Sequence, residues 1–321
     1  MPRMSQRILE RGQIETLASR SIPRVRLPDR ERVFAHRAAR LRERAHEHPL
    51  GDYLRLLAAV CDAQQAALAR FVATPAAEAL VARAREHGMP PLLATDWPRD
   101  PQWRAALHDI VVAIGAIDGA PPAVAGLAQR LRAAEPDWLE SQADALLALR
   151  DDAIDIAAAP FVMAALQVHW VALTASFEAD RVMPLDVNGV CPLCGTAPVA
   201  SIVATQAPYA GYRYLHCALC ATEWHRVRVE CTQCGANGKD IAYRSLTSHD
   251  ADDAQAALRD PVRAETCDAC HAYRKILYQE FDPAVEPVAD DLATLALDLL
   301  LGEAGYHRAS GNPLFWQRAE D

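Results

Sequence analysis

The sequence predicts an α+β protein in which an N-terminal all-α domain precedes two tandem four-cysteine metal modules, rubredoxin-like or zinc-ribbon-like, and a C-terminal helix. Two observations lead to this fold class. Helical apolar periodicity punctuated by proline dominates the first half of the chain, and eight of the nine cysteines lie between residues 191 and 270, surrounded by short alternating runs. The predicted boundaries are residues 1–186 for the α-helical domain, 187–230 for the first module, and 231–321 for the second module with the C-terminal helix and tail.

The clustered cysteines form four C-x-x-C pairs. Two cysteines three positions apart on a tight turn direct both sulfurs toward one point, and the backbone N–H groups of the turn can stabilise them as thiolates. Two such turns complete a tetrahedral site, so the sequence predicts two metal ions per chain. The predicted ligands are Cys191, Cys194, Cys217, Cys220, Cys231, Cys234, Cys267 and Cys270.

The residues that follow the four pairs indicate how the pairs combine. Gly195 and Gly235 follow the first and third pairs, whereas Ala221 and His271 follow the second and fourth. Glycine relieves a left-handed turn where the chain leaves a pair, so the alternation favours two consecutive two-pair units. An interleaved arrangement, in which the first pair shares a metal with the third, stays open. Disulfides are disfavoured, because C-x-x-C pairs in a chain without a secretory signal are typical of metal or redox sites.

Length and composition indicate a globular protein of two or three domains, with 321 residues and 51% hydrophobic content. The net charge of −9 hides a basic arm, since residues 1–44 contain twelve arginines and five acidic residues. Interspersed arginines on a helix more often form a solvated face than a nucleic-acid contact. The best membrane-span candidate, residues 156–177, is interrupted by Pro160, Gln167 and His169, which favours a buried helix. We therefore expect no membrane span and, without a secretory signal, a cytoplasmic location.

Periodicity predicts the individual elements. Cys61 belongs to the apolar stripe of the second helix and is expected in the core. Alternation at residues 212–217 and again at 226–229 predicts strands there, and each module is expected to be a small β-ribbon. The predicted helices cover residues 31–46, 51–72, 76–87, 101–117, 122–134, 137–150, 153–179 and 289–301.

The cysteine pairs and their flanks closely resemble the formate dehydrogenase accessory protein family, FdhE. Arg274 departs from the resemblance, because the family is expected to have an apolar residue there. The resemblance is specific from residue 188 to 313 and fainter in the helical domain. The segments that carry it are Cys191-Pro192-Leu193-Cys194-Gly195, residues 212–220, Glu223-Trp224-His225 with Arg228 and Cys231, residues 275–279 and 289–293, Asn312-Pro313 and, more faintly, Arg37, Arg40-Leu41, His48-Pro49-Leu50 and Tyr53-Leu54.

The resemblance implies a cytoplasmic accessory factor that binds the catalytic subunit of a respiratory formate dehydrogenase before export. It also implies an α-helical N-terminal domain and rubredoxin-like sites that take iron, although zinc suits four thiolates equally well. Such a maturation chaperone binds without chemistry of its own, so we expect neither enzymatic activity nor a small-molecule substrate. The residues expected to contact the partner are Tyr214, Trp224 and Arg228.

Two other classes of function compete with the chaperone. A nucleic-acid-binding zinc ribbon is suggested by the aromatic and arginine residues near the cysteine pairs, but the acidic balance of the chain outside the basic arm argues against it. An iron–sulfur redox protein is the third, and no dinucleotide-binding glycine motif supports it. In each case we expect the metals to fold the C-terminal region and to leave the helical domain largely independent.

Overall fold

The computed structural model describes residues 22–183, 185, 187–246 and 254–317. Helices fill the first half of the chain, and short turns of 3₁₀-helix occur at Asp151–Ala153, Ala179–Arg181 and Gly238–Asp240. The α-helices are α1 Val33–Arg44, α2 Gly51–Arg70, α3 Glu78–Glu86, α4 Gln102–Gly115, α5 Pro122–Arg132, α6 Pro136–Leu147, α7 Ala159–Thr174, α8 Ala254–Ala257, α9 Pro287–Leu292 and α10 Leu295–Glu303.

The strands of both modules join in one sheet. The order across the sheet is β1-β4-β3-β2-β7-β6-β5, and β8 pairs with β7 beside this path. The parallel pairing of β2 with β7 joins the two modules. Within the modules β2–β3, β3–β4, β5–β6 and β6–β7 are antiparallel, and β7–β8 is parallel. The strands are β1 Val25–Arg26, β2 Pro198–Val203, β3 Arg213–Cys217, β4 Glu223–Arg226, β5 Ile241–Arg244, β6 Val262–Cys267, β7 Ala272–Tyr278 and β8 His307–Arg308.

Helix α7 is the centre of the helical region. Its side chains are buried almost all round, including Gln167 and His169, which explains why the sequence is apolar on every face there. None of the helices within the described ranges is both long and apolar enough to cross a membrane. The predicted helix at residues 153–179 is shorter in the structure, because a 3₁₀ turn precedes and follows it.

One hydrophobic core spans the helices and the first module. It includes Cys61 and Leu68 of α2, Trp170 of α7, and Leu215 and Trp224 of the sheet. Cys61 is fully buried, as its place on the apolar stripe predicts. The helical region therefore rests on the sheet and shares its interior with the first module.

Two predicted elements differ from the sequence patterns. The alternation at residues 226–229 is not a strand, because β4 ends at Arg226 and the chain turns at Val229, where φ is 62°. The single predicted C-terminal helix is divided into α9 and α10. The division falls at Ala293 and Thr294, and the Thr294 hydroxyl donates to the carbonyl of Asp290 at 2.7 Å. A hydroxyl that bonds back to the preceding turn competes with continuation of the helix.

Candidate metal centres

The structure gathers the eight predicted cysteines into two groups of four, each made of two consecutive C-x-x-C turns. All sulfur atoms within a group lie within 4.8 Å of one another. This is the consecutive pairing, and the described residues do not form the interleaved alternative. The first cluster contains Cys191, Cys194, Cys217 and Cys220, and the second cluster contains Cys231, Cys234, Cys267 and Cys270.

The sulfur–sulfur distances fit a tetrahedral metal site. In the first cluster two Sγ–Sγ distances are 3.5 and 3.4 Å, and in the second cluster the equivalent distances are 3.8 and 3.7 Å. Metal–sulfur bonds of about 2.3 Å give a tetrahedron with edges of about 3.8 Å, whereas the sulfurs of a disulfide are about 2.0 Å apart. Each cluster could hold one metal ion, and the ligand set suits zinc and iron alike.

Each C-x-x-C turn is followed by a left-handed residue, whether or not that residue is glycine. The φ angles are 75° at Gly195, 78° at Gly235, and 56° at both Ala221 and His271. Only glycine adopts this conformation without steric cost, so the second and fourth turns carry strain that the first and third avoid. The amide of His271 donates to the Cys267 carbonyl at 2.8 Å, which closes the fourth turn.

Backbone amides donate to the sulfurs, as expected of such turns. The amides of Leu219 and Cys220 each lie 3.4 Å from Cys217 Sγ, and the amide of Gln233 lies 3.4 Å from Cys231 Sγ. Hydrogen bonds of this kind favour the thiolate over the thiol. The turns thus prepare the sulfurs to act as metal ligands.

The two clusters differ in burial. All four cysteines of the first cluster are at most 1% exposed and belong to the main core. In the second cluster Cys234 is exposed and Cys270 is half-buried. The first cluster is therefore enclosed by the protein, whereas the second opens to the surface.

Burial determines the chemistry of the first cluster. It raises the pKa of the Cys191 thiol well above the usual value, and hydrogen bonds from the other three cysteines raise it further. Several negatively charged thiolates in a buried site without a cation are energetically unfavourable. The thiols of the first cluster are therefore expected to lose their protons when a metal ion binds.

Two side chains of helix α7 hydrogen-bond the backbone of the C-x-x-C turn at Cys217 and Cys220, in the first cluster. The Gln167 side chain donates to the carbonyl of Ala218 at 2.7 Å, and the Thr174 hydroxyl lies 3.3 Å from the carbonyl of Cys220. In the sequence Gln167 reads only as a polar interruption of an apolar run, and Thr174 carries no signal of its role. The signal available in the sequence was the Gln167 side-chain amide in an otherwise apolar helix, because a buried amide group needs a hydrogen-bond partner.

A loop of the helical region supports the first turn of the same cluster. The amides of Leu92 and Ala94 donate to the carbonyls of Leu193 and Cys194 at 2.9 and 3.0 Å. The packing is so close that a Cβ at Gly195 would lie 2.8 Å from Leu93 Cδ1. A side chain at residue 195 would therefore displace the end of the Leu93 side chain, and the φ of 75° favours glycine there. This interface differs from the expectation of a largely independent helical domain.

The three residues predicted to contact a partner lie in different environments. Tyr214 is fully buried and its hydroxyl donates to the Pro23 carbonyl at 2.7 Å, while Trp224 is 6% exposed and packs in the main core. Neither side chain is available to a partner in this conformation, because each is buried, Tyr214 on one face of the sheet and Trp224 on the other. Arg228 is exposed and stays a candidate contact.

Family models match the chain along most of its length. The model described as FdhE, N-terminal matches residues 22–186, the FdhE central domain matches 190–228, and the FdhE C-terminal domain matches 229–315.

Individual proteins give the same result. The chain is 41% identical to an FdhE homolog from Pseudomonas aeruginosa, with 97% of this chain and 98% of that protein covered. It is 39% identical to an FdhE homolog from Cronobacter sakazakii, with 98% of each covered. The crystal structure of the Pseudomonas aeruginosa FdhE protein is similar, with a TM-score of 0.77, 39% identity, and 91% of this chain and 98% of that chain covered.

Proposed function

Because this chain belongs to the FdhE family, we propose that it is an accessory factor that binds the catalytic subunit of a respiratory formate dehydrogenase in the cytoplasm before export. The observation that carries the proposal is the similarity to FdhE proteins over 97–98% of the chain. A partner that must fold around a large cofactor before export needs a factor that distinguishes its immature state. Binding alone provides this distinction.

The cysteine clusters support a binding role over a catalytic one. Four sulfurs complete a tetrahedral coordination shell, and a closed shell leaves no position for a substrate or for an activated water. We propose one metal per cluster, held by the four cysteines of each, with iron favoured by the family resemblance and zinc as the alternative. The metals stabilise the module turns and so fix the surfaces that those turns display.

An exposed apolar surface between the modules is the proposed partner contact. It consists of Val187, Val227, Arg228 and Val229, which we call the connecting patch. The three valines are 63%, 60% and 41% exposed, and Arg226 joins their segments by donating to the Val187 carbonyl at 3.0 Å. A β-branched residue such as Val229 rarely takes a positive φ, and strained backbone of this kind often occurs at functional sites.

The burial of the ribbon aromatics disfavours the nucleic-acid alternative. Bases stack on exposed aromatic faces, but Tyr214 and Trp224 are inside the core. The sheet thus lacks at these positions the platform that the sequence suggested.

Capture by an immobilised formate dehydrogenase catalytic subunit tests the proposal. Wild-type protein is expected to bind, and Val227→Asp is expected to weaken capture because it places a carboxylate in the apolar contact. Val72→Asp is the matched control, because Val72 is an exposed valine of the helical region, 72% accessible. No capture of metal-loaded wild-type protein would refute the function, whereas equal capture of all three would refute only the patch.

A further inference from the structure

Beneath the second cluster lies a buried arginine that contacts no carboxylate among the described residues. Arg274 is 5% exposed. Its Nε donates to the Thr232 hydroxyl at 3.0 Å, and its Nη1 donates to the Ser310 hydroxyl at 2.6 Å and to the Pro198 carbonyl. All three acceptors are neutral. A guanidinium taken out of water normally has an anionic partner, so this cation requires an explanation.

The carboxylate opposite Arg274 in the sheet already has a cationic partner. Glu265 stands opposite Arg274 in the β6–β7 register. Its Oε1 accepts from Arg213 at 2.6 Å, and its Oε2 accepts from the Tyr243 hydroxyl at 3.1 Å. Two guanidinium groups and one carboxylate leave one positive charge in excess in this part of the interior.

The excess charge faces the second cluster. Arg274, Glu265, Cys231 and Cys267 line one small cavity of about 10 Å³. The two arginines also hold the chain on either side of Cys231. Arg274 does so through Thr232, and Arg213 through the carbonyl of Glu230 at 2.9 Å.

The guanidinium stays charged at neutral pH despite its position. Burial, followed by repulsion from Arg308 and Arg213, lowers the pKa of Arg274 to about 10, while Cys231 and Glu265 act in the opposite direction. The charge of Arg308 is itself balanced by carboxylates, because its side chain pairs with Asp291 and Asp298.

We propose that Arg274 is the buried counter-charge of the second metal centre and sets how tightly its four cysteines hold a metal. Binding of a divalent ion to four thiols releases four protons and leaves a centre with a net charge of −2. A fixed cation in a low-dielectric interior stabilises that centre and disfavours its loss. Arg274 is thus a positioning and charge-compensating residue, distinct from the ligands. The inference rests on the proposed metal occupancy of the second cluster.

Zinc competition with a chromophoric chelator, on reduced protein without oxygen, tests the inference. In Arg274→Gln, which keeps a hydrogen-bond donor but removes the charge, the affinity of one of the two zinc sites should fall at least about tenfold. Arg274→Lys should retain most of the affinity. Arg263→Gln is the matched control, because Arg263 is a buried arginine that bonds the Leu258 and Asp260 carbonyls and packs over Tyr278.

The midpoint potentials of the iron-loaded protein distinguish an effect of the Arg274 charge from a merely structural effect of the substitution. A ferrous centre with four thiolates is one charge more negative than the ferric centre, so loss of a nearby cation disfavours the ferrous state. One of the two midpoint potentials should therefore become more negative in Arg274→Gln and return toward the wild-type value in Arg274→Lys. Zinc affinity and potentials in Arg274→Gln equal to those of wild type would overturn the inference. Only one metal bound per wild-type chain, and retained in Cys234→Ser, would instead refute occupancy of the second cluster.

Discussion

Arg40 and Asp290 form a buried ion pair between residues 250 positions apart, in which the Nε and Nη2 of the guanidinium donate to the two carboxylate oxygens at 2.8 Å each. Asp290 is 0% exposed and Arg40 2%. A second pair lies beside it, since Arg37 donates to Glu286 at 2.9 Å and the same Glu286 caps the N-terminus of α9. Helix α1 of the helical region therefore fixes the position of α9 after the second module.

Removal of one member of this pair should destabilise the fold strongly. Arg40→Met leaves the Asp290 carboxylate buried without its bidentate partner, and such changes cost about 3–5 kcal/mol. Urea unfolding measures the loss. Arg42→Met is the control, because Arg42 pairs with Asp62 on the surface, where both side chains are about half exposed and such pairs contribute at most about 1 kcal/mol. Equal stability of the two variants would contradict the argument.

Trp224 should stabilise the fold and contribute little directly to partner contact. Trp224 is the register partner of Val25 on β1 and of Leu215 on β3. Its side chain belongs to the main core, so the alanine variant would leave a cavity there. Trp224→Ala is expected to lose about 3–5 kcal/mol of unfolding free energy. Val227→Ala, at an exposed position, should change it by no more than about 0.5 kcal/mol. A Trp224→Ala protein as stable as wild type would show that the side chain is not packed as described.

The two clusters should release metal at different rates. Zinc transfer to a chelator in excess is expected to be biphasic, with the fast phase from the second cluster, because Cys234 is exposed while the first cluster is enclosed. Cys234→Ser assigns the phases, since it should alter the fast phase and leave the slow one unchanged. A single rate in wild type, or a change of the slow phase in Cys234→Ser, would refute the difference in enclosure.

Gln167 should link the helical region to the first cluster. Gln167→Leu leaves the Ala218 carbonyl without its donor and is expected to cost about 1–3 kcal/mol and to accelerate the slow phase of zinc release. Gln142→Leu is the matched control, because Gln142 is also buried but bonds the backbone of Ala153 and Asp155, away from the clusters. Both variants should lose stability, and only Gln167→Leu should change zinc release. Equal release rates in the two variants would contradict the link.

The elements that the sequence predicted are those with a local cause. The alternation of Gly195 and Gly235 with Ala221 and His271 favours the consecutive cysteine pairing, although it does not show that all four residues take the same left-handed conformation. The helices follow from apolar periodicity in the same way, with ends that shift by a few residues. The division between α9 and α10 was not predicted, because a threonine hydroxyl that bonds its own preceding turn leaves no mark on the apolar pattern.

The features that the sequence missed depend on distant partners. Alternation at period two identifies β2 and β7 as strands but does not say that they pair in parallel. Arg213 lies between two tyrosines and Arg274 stands next to Lys275, and charged residues in a strand are normally expected on the solvent face. Both are buried because β3 and β7 are buried along their whole length, which only the assembled fold shows.

His169 should make stability depend on pH. The ring is 1% exposed, lies edge-on to Trp170 and Phe71 with centroids 4.7 and 5.6 Å away, and neither ring nitrogen has a hydrogen-bond partner among the described residues. Burial is the main cause that lowers the pKa of His169 from 6.5 to about 4. Well above pH 6.5 the imidazole is neutral in both the folded and the unfolded chain, so it adds no pH dependence there.

Below that pH the unfolded chain binds a proton that the folded chain does not. The free energy of unfolding should therefore fall as the pH is lowered from about 6.5 to about 4, by roughly 3 kcal/mol from this group. Urea unfolding at several pH values measures the slope. His169→Phe should flatten it, because no proton is taken up at that position on unfolding, whereas His108→Phe, at an exposed position of α4, should keep the wild-type slope. A slope in His169→Phe as steep as that of wild type would mean that His169 is protonated in the folded protein or that its helix opens before the rest unfolds.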